Sequence, residues 1–260
     1  MTGVTVVVPC YNEASRFQAD AFGDLIRRYS DVRFIFVDDG STDETVKVLQ
    51  DFAGAHPDTC KLKRMGANVG KAEAVRRGLL AAFDTETTYA GFWDADLATP
   101  LDAIPLLCEV LRDRPELQMV FGSRVRLLGR DIRRQVERHY LGRLFATTVS
   151  MMLHLPIYDS QCGAKIFRAQ PLVSGLFREP FVAKWVFDVE IVARLIQALQ
   201  PDGAARAGGM IYEYPLPVWH DIPGSKLRPS DFLGASLDLL KIRRRYLRDS
   251  GAADPRSRSG

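Results

Sequence analysis

Short apolar runs and stretches of helical spacing take turns along the first half of the chain. Residues 4–9 form a β-branched run closed by a proline, which predicts a buried strand. Residues 19–29 carry the spacing of an amphipathic helix, and residues 32–37 predict a second buried strand. That strand runs into Asp38-Asp39-Gly40-Ser41-Thr42-Asp43, whose Ser, Thr and Asp side chains suit the capping of a helix to about Phe52. Residues 61–65 predict a third strand. Asn68-Val69-Gly70-Lys71 then opens a helix over residues 72–83. Residues 89–93 predict a fourth strand ending at Asp94-Ala95-Asp96, Pro100 opens a helix to about Arg112, and residues 119–122 predict a fifth strand. Strand and helix thus alternate through the first 125 residues, the signature of a parallel sheet covered by helices on both faces. Ligands of such sheets bind beyond the carboxyl ends of the strands, and each polar cluster above follows a predicted strand.

Composition narrows the class. The chain has 260 residues, 47% hydrophobic and 26% charged, enough to bury a substantial core in one domain. The expected organisation is one catalytic domain over residues 1–250 and a polar, small-residue-rich, disordered tail over 251–260. Cys10, Cys60, Cys108 and Cys162 contain no C-x-x-C pair, which argues against zinc and disulfide frameworks and fits a reducing cytosol. The apolar run over residues 4–8 is too short for a signal peptide or anchor, and no stretch approaches the roughly 18 apolar residues of a membrane span. The formal net charge of +3 gives no reason to expect nucleic acid. The distribution of charge says more. Arg124, Arg126, Arg130, Arg133, Arg134, Arg138 and Arg143 fall in one short window, and Arg243, Arg244, Arg245 and Arg248 crowd the C-terminus. Such density attracts phosphates or anionic lipid headgroups, or it is an ordinary solvated face.

Asp94 and Asp96 are two acids in a tight turn at a strand end. They can share a hard cation, Mg²⁺ or Mn²⁺, that bridges substrate phosphate oxygens; taken alone, the pair reads equally as surface turn acids. Asp38 and Asp39 end the second strand in the same way and suit a ribose or base edge, a role compatible with helix capping nearby. Pro9-Cys10-Tyr11-Asn12-Glu13 closes the first strand on the same sheet edge.

In order and spacing, PCYNE, DDGSTD, NVGKAEAVRRG and DAD resemble the family 2 glycosyltransferases of the GT-A type, with a Rossmann-like, mostly parallel sheet, flanking helices and C-terminal helical elements. The resemblance covers about residues 4–246. Phe121-Gly122-Ser123-Arg124, the segment Asp159-Ser160-Gln161-Cys162-Gly163-Ala164-Lys165, Trp185-Val186-Phe187-Asp188-Val189-Glu190, and Ile222-Pro223-Gly224-Ser225-Lys226-Leu227 are similar to later motifs of dolichyl-phosphate β-glucosyltransferases and, more distantly, of polyprenyl-phosphate mannose synthases. The resemblance implies inverting transfer of a hexose from a nucleotide sugar, UDP-glucose in preference to GDP-mannose, to a polyprenyl phosphate. It implies that Pro9, Tyr11, Glu13, Asp38 and Asp39 hold the nucleoside and that Lys71 lies near the base or diphosphate. Asp94 would contact the ribose or sugar and share the metal with Asp96. Arg124 with Arg134, Arg138 or Arg143 would meet the acceptor phosphate. Gln161, Lys165, Trp185 and Asp188 would line the sugar pocket, with Ser225 and Lys226 also on the acceptor side.

The chemistry agrees with these residue types. Negative charge builds on the departing diphosphate, and a metal and arginines neutralise it. A phosphate acceptor is already anionic and needs no general base, whereas a hydroxyl acceptor needs one; Asp188 is then the candidate, unless it is a structural acid paired to an arginine. The eukaryotic relatives carry a transmembrane helix and none is expected in this chain, so membrane contact is expected to be peripheral, at the cytoplasmic inner face, or absent. A soluble or polysaccharide hydroxyl acceptor is the alternative reading. Some mannose synthases place a metal-ligating glutamine where this chain has Ala98, which tilts away from them. Residues 140–158 are apolar beside the arginine window and read as an interfacial helix or a core helix. His154 and His220 lack partners at ligand spacing, and Cys10 reads as a packing residue.

Overall fold

The computed structural model describes residues 3–133, 136–222 and 229–247. In chain order the elements are β1 (Val4–Cys10), α1 (Ala19–Arg28), β2 (Val32–Asp38), α2 (Thr45–Ala55), β3 (Cys60–Arg64), α3 (Lys71–Phe83), β4 (Tyr89–Trp93), α4 (Ala103–Asp113) and β5 (Met119–Ser123). Next come β6 (Asp131–Arg133), α5 (Val136–Leu153), β7 (Ala164–Arg168), α6 (Pro171–Gly175), α7 (Phe187–Ala198), α8 (Gly203–Gly208), β8 (Ile211–Pro215), β9 (Val218–His220) and α9 (Pro229–Tyr246).

Seven strands form the central sheet in the order β3-β2-β1-β4-β7-β5-β8. All neighbouring pairs are parallel except those of β7, which runs antiparallel to both β4 and β5. The five strands expected from the apolar runs are present, and the mostly parallel α/β class is as expected. The β-branched runs VTVVVPC and FIFVD are buried on both faces, as strands covered by helices must be. One side of the sheet buries Phe22, Phe34, Phe36, Trp93 and Leu107 under α1 and α4. The other buries Val75, Leu79, Phe92, Phe121, Phe167 and Phe187 under α3 and α7. Gly78 is required in α3, because a Cβ there would run into Val7 of β1.

Beyond β5 the sequence periodicity is less informative, and α5 shows why. The expected apolar helix over 140–158 is displaced to Val136–Leu153; His154 then takes a left-handed φ of 52° and ends it. Among the described residues no helix is long and apolar enough to cross a membrane. The helix expected from Pro100 begins at Ala103. The tail 251–260 lies outside the described residues.

Candidate functional site

The carboxyl ends of β1, β2 and β4 meet along one sheet edge, and that edge assembles the candidate nucleotide site. Asn12 adopts a left-handed φ of 54°, and two bonds lock it there. Its backbone N–H donates to Ser41 Oγ at 3.0 Å and its side-chain oxygen accepts the Thr42 N–H at 2.8 Å. Thr45 Oγ1 accepts the N–H groups of Glu13 at 2.7 Å and Ala14 at 2.9 Å. The DDGSTD segment therefore fastens the PCYNE turn rather than capping α2 through Ser41 and Thr42. Only Asp43 reaches the helix start, accepting the Thr45 N–H at 3.0 Å.

A pocket opens between these turns and the end of β3, lined by Asp38, Ser41, Arg64 and Met65 among others. Asp38 is buried at its wall. Asp39 differs from expectation. Its two carboxylate oxygens accept the N–H groups of Val69 and Gly70 at 2.8 and 2.9 Å, which fixes the start of α3 and leaves Asp38 beside the pocket. Burial raises the Asp39 pKa, partly offset by those two N–H bonds. Tyr11 is 36% exposed over the same edge. Cys10 is buried and its thiol is pushed well up by burial, as fits a packing residue.

Asp94 and Asp96 follow β4 as expected, and Lys71 at the first turn of α3 meets them. The Lys71 ammonium lies 2.5 Å from Asp94 Oδ1. Desolvation is the largest influence on Lys71 and opposes its charge, yet the carboxylates of Asp94, Asp188 and Asp96 together raise its pKa. Asp96 has its pKa raised by burial first and by the Asp94 charge second; the Ala98 N–H donates to it at 3.1 Å and holds the turn. Two carboxylates pressed together and partly desolvated are hard oxygen donors suited to a divalent cation. Asp94 Oδ1 meets the Lys71 ammonium, and the oxygen donors of Asp94 and Asp96 fit Mg²⁺ or Mn²⁺ bound by one or two carboxylates plus substrate phosphate. Among the described residues no three His, Cys, Asp or Glu side chains converge as a self-sufficient cage.

The reversed strand β7 supplies the floor. The Asp94 N–H donates to the Gly163 carbonyl at 2.9 Å. Lys165 is fully buried and donates to Asp188 Oδ1 at 2.5 Å and to the Cys162 carbonyl at 2.6 Å. Expected to line the sugar pocket, its ammonium is instead fully buried and holds Asp188 at the start of α7. Burial raises the Asp188 pKa, opposed chiefly by the Lys165 and Lys71 charges. The partner of Asp188 is thus a lysine and not an arginine. Trp185, two residues before α7, is half exposed.

Arg124 is likewise not free. Its Nε and Nη2 donate to the two oxygens of Asp159, each at 2.6 Å, and its N–H donates to the same carboxylate at 3.0 Å. Desolvation opposes its charge, but Asp159 dominates and raises its pKa. Asp159 sits in the quoted DSQCGAK motif, yet nothing in the sequence pairs it with Arg124. Glu213 in β8 was invisible to sequence reasoning. It accepts the N–H groups of Tyr158 and Asp159 at 2.7 and 2.6 Å and so fixes the turn that presents the clamp. Arg143 of α5 stacks on the Tyr158 ring at 3.8 Å. His220 has a partner after all: its ring nitrogen lies 2.7 Å from Asp131 Oδ2, joining β6 to β9. Arg134, Ser225 and Lys226 lie outside the described residues, as does the side chain of Arg138.

A mostly parallel sheet with one reversed strand and a carboxylate pair at the end of β4 is the architecture of GT-A glycosyltransferases. Crystal structures of that class superpose on this chain. Glucosyl-3-phosphoglycerate synthase from Mycobacterium tuberculosis, in complex with Mn²⁺, UDP and glucosyl-3-phosphoglycerate, matches with a TM-score of 0.64 at 21% identity, over 93% of this chain and 80% of that one. The same enzyme with Mg²⁺ and UDP also gives a TM-score of 0.64. The model of glycosyl transferase family 2 matches residues 5–174, and the chain belongs to that family. Among curated relatives, the dolichyl-phosphate beta-glucosyltransferase of Dictyostelium discoideum is 31% identical over 94% of this chain and 75% of its own length. That of Mus musculus is 33% identical over 94% of this chain and 76% of its own.

Proposed function

We propose that the protein transfers glucose from UDP-glucose to a polyprenyl phosphate, with inversion at the anomeric carbon, at the cytoplasmic face of a membrane that it touches peripherally. The supporting observation is that relatives named dolichyl-phosphate beta-glucosyltransferase align along 92–94% of the chain. The alignment thus extends past the nucleotide half into the Asp159–Lys165 segment and α7, on the acceptor side.

In this reading Asp38 and Tyr11 hold the nucleoside in the pocket at the ends of β1 and β2, with Pro9 and Glu13 shaping its rim. Asp94 and Asp96 hold Mg²⁺ or Mn²⁺, which when bound supplies positive charge to the departing diphosphate. Lys71 adds a second positive charge beside Asp94. Asp188, aimed by Lys165 and close enough to Lys71 and Asp94 to be felt by both, orients the sugar and stabilises the positive charge that develops at its anomeric centre. The acceptor phosphate attacks as an anion, so no proton need leave it.

Membrane contact follows from two helix faces. On α5, Leu144, Thr147, Thr148 and Met151 are exposed along one stripe. The two threonine hydroxyls donate to the carbonyls of Arg143 and Leu144, which leaves the stripe uncharged and internally satisfied. On α9, Leu237 and Leu240 are exposed above Lys241, Arg243, Arg244 and Arg245. Apolar anchors over a basic helix end suit an anionic headgroup layer.

The test is incubation with radiolabelled UDP-glucose, Mg²⁺ or Mn²⁺ and a polyprenyl phosphate in detergent, followed by counting label in the organic phase. Label is expected with UDP-glucose and not with GDP-mannose, and Asp96→Ala should reduce it roughly 10²-fold or more, the scale for losing one charge-stabilising group. Donor consumed only when soluble hydroxyl acceptors are added, with no organic-phase label, would overturn the lipid acceptor.

A further inference from the structure

Between the end of β5 and the start of β6 the chain reverses at Leu127-Leu128-Gly129-Arg130. The Arg130 N–H donates to the Leu127 carbonyl at 3.1 Å, and Gly129 takes a φ of 80°, as a type II turn needs at its third position. The turn aims two leucines outward. Leu127 is 50% exposed and Leu128 is fully exposed, beyond Met151 at 71%. Single leucines scattered over a surface need no explanation, but two in succession on one closed turn make an apolar crest.

Both limbs of the crest are fastened. On one, β6 pairs with β9, Ile132 is buried, and Asp131 accepts from Arg133 at 3.0 and 3.1 Å and meets His220 Nε2 at 2.7 Å. On the other, Arg124 grips Asp159 and lies over the Trp219 ring at 5.3 Å. Little ordering is therefore lost when the crest meets a partner. Charge and shape say which partner. Arg126 and Arg130 are exposed on either side of the leucines, while the acid of the segment, Asp131, is already paired. Two side chains on a convex turn cannot supply the roughly 800 Å² that each partner buries in a stable protein complex. A bilayer makes no such demand: it closes around an apolar point and lays anionic headgroups against the arginines beside it.

We infer that the Leu127-Leu128 crest inserts into the headgroup boundary of an anionic bilayer, with Arg126 and Arg130 against the headgroups. The inference rests on the membrane-contact reading above and deepens it with a contact site outside α5 and α9. Arg124 lies just before the turn, so the crest brings the acceptor side of the site to the lipid surface.

Co-sedimentation of the full chain with vesicles of phosphatidylcholine, alone or mixed with phosphatidylglycerol, tests this without requiring turnover. The mixed vesicles should bind the protein more tightly. Leu127→Ser with Leu128→Ser should weaken that binding at least about tenfold, the scale of withdrawing two leucine side chains from an apolar medium. Arg126→Gln with Arg130→Gln should reduce the preference for phosphatidylglycerol. Leu128→Trp should gain an emission that shifts to the blue with mixed vesicles and is quenched by lipids brominated near the headgroup. Undiminished binding of the serine pair, or an unshifted Leu128→Trp emission, would overturn the crest and leave the contact to α5 and α9. Unaltered protein that sediments with neither vesicle would overturn it too; label still entering the organic phase in detergent would then spare glucosyl transfer. Binding lost in the serine pair, with no lipid product from the unaltered protein in detergent, would keep the crest and sink that transfer. A concentration-dependent dimer that the serine pair abolishes and lipid does not affect would assign the crest to a second copy of the chain and overturn the bilayer.

Discussion

Gly163 leaves no room for a methyl group: a Cβ there would overlap the Asp94 carboxylate, while its carbonyl accepts the Asp94 N–H. A glycine is therefore required by a close approach and not by a turn. Gly163→Ala should displace Asp94 and lower kcat/KM for the donor at least tenfold, on the scale by which small misplacements in a site cost rate. Steady-state kinetics with varied UDP-glucose checks this. Lys71 makes a pH prediction. Burial holds the pKa values of Asp96 and Asp188 above the ordinary carboxylate value, and Lys71 is among the charges pulling both back down. Removing that charge lets both rise further, so each carboxylate protonates at a higher pH. If both must be ionised to work, the acid limb of the kcat/KM profile should move to higher pH in Lys71→Gln. A limb that stays in place would deny the coupling.

At the scale of elements, α9 is docked by two buried acids from opposite directions. Glu190 of α7 is fully buried and accepts from Tyr246 at 2.9 Å, Arg194 at 2.7 Å, and the N–H groups of Val182 and Ala183 at 2.9 Å each. Asp238 of α9 returns the contact, accepting the Lys184 N–H at 3.0 Å. The loop that carries Trp185 is thus clamped between the two helices. Glu190→Gln leaves Arg194 without its buried counter-charge, and urea unfolding should show a loss of about 3–5 kcal/mol, the range for breaking a buried ion pair. The strands β1, β2 and β4 were legible because apolar runs buried on both faces have few other readings. The same logic failed for β7. AKIFR carries Lys165 in its middle, a charge that sequence reasoning sends to a ligand and that the fold sends to a buried partner 23 residues on. Asp38 and Asp39 show the same limit: adjacent acids look equivalent in sequence, and only the Val69 and Gly70 N–H groups tell them apart.

For the molecule as a whole, the exposed stripes of α5 and α9 carry the membrane reading. Met151→Asp combined with Leu240→Asp should reduce co-sedimentation with anionic vesicles, while salt should weaken binding of the unaltered protein through its basic helix end. Equal sedimentation of both forms would remove α5 and α9 from the contact. The arginine window was legible as a concentration of charge but not as separate jobs. Arg124 is a half-buried clamp on Asp159, Arg133 forms a surface pair with Asp131, and Arg143 stacks on Tyr158. Composition cannot separate them, because Arg124 and Arg143 are defined by partners far along the chain while Arg133 pairs locally and stays exposed.

The reversed β7 has a consequence for how such a chain can diversify. Residues 124–161 leave the sheet at the end of β5 and return beside it, just before Gly163 and the Phe121–Lys165 pairing of the antiparallel junction. The whole excursion, with its clamp, pocket and apolar helix, starts and finishes at neighbouring points of a framework that does not depend on its length. On the proposed function, donor preference would then belong to the framework and acceptor preference to an exchangeable insert. Lineages sharing the first half of this sheet can change what they glycosylate by rewriting one segment, without disturbing the sugar nucleotide they spend.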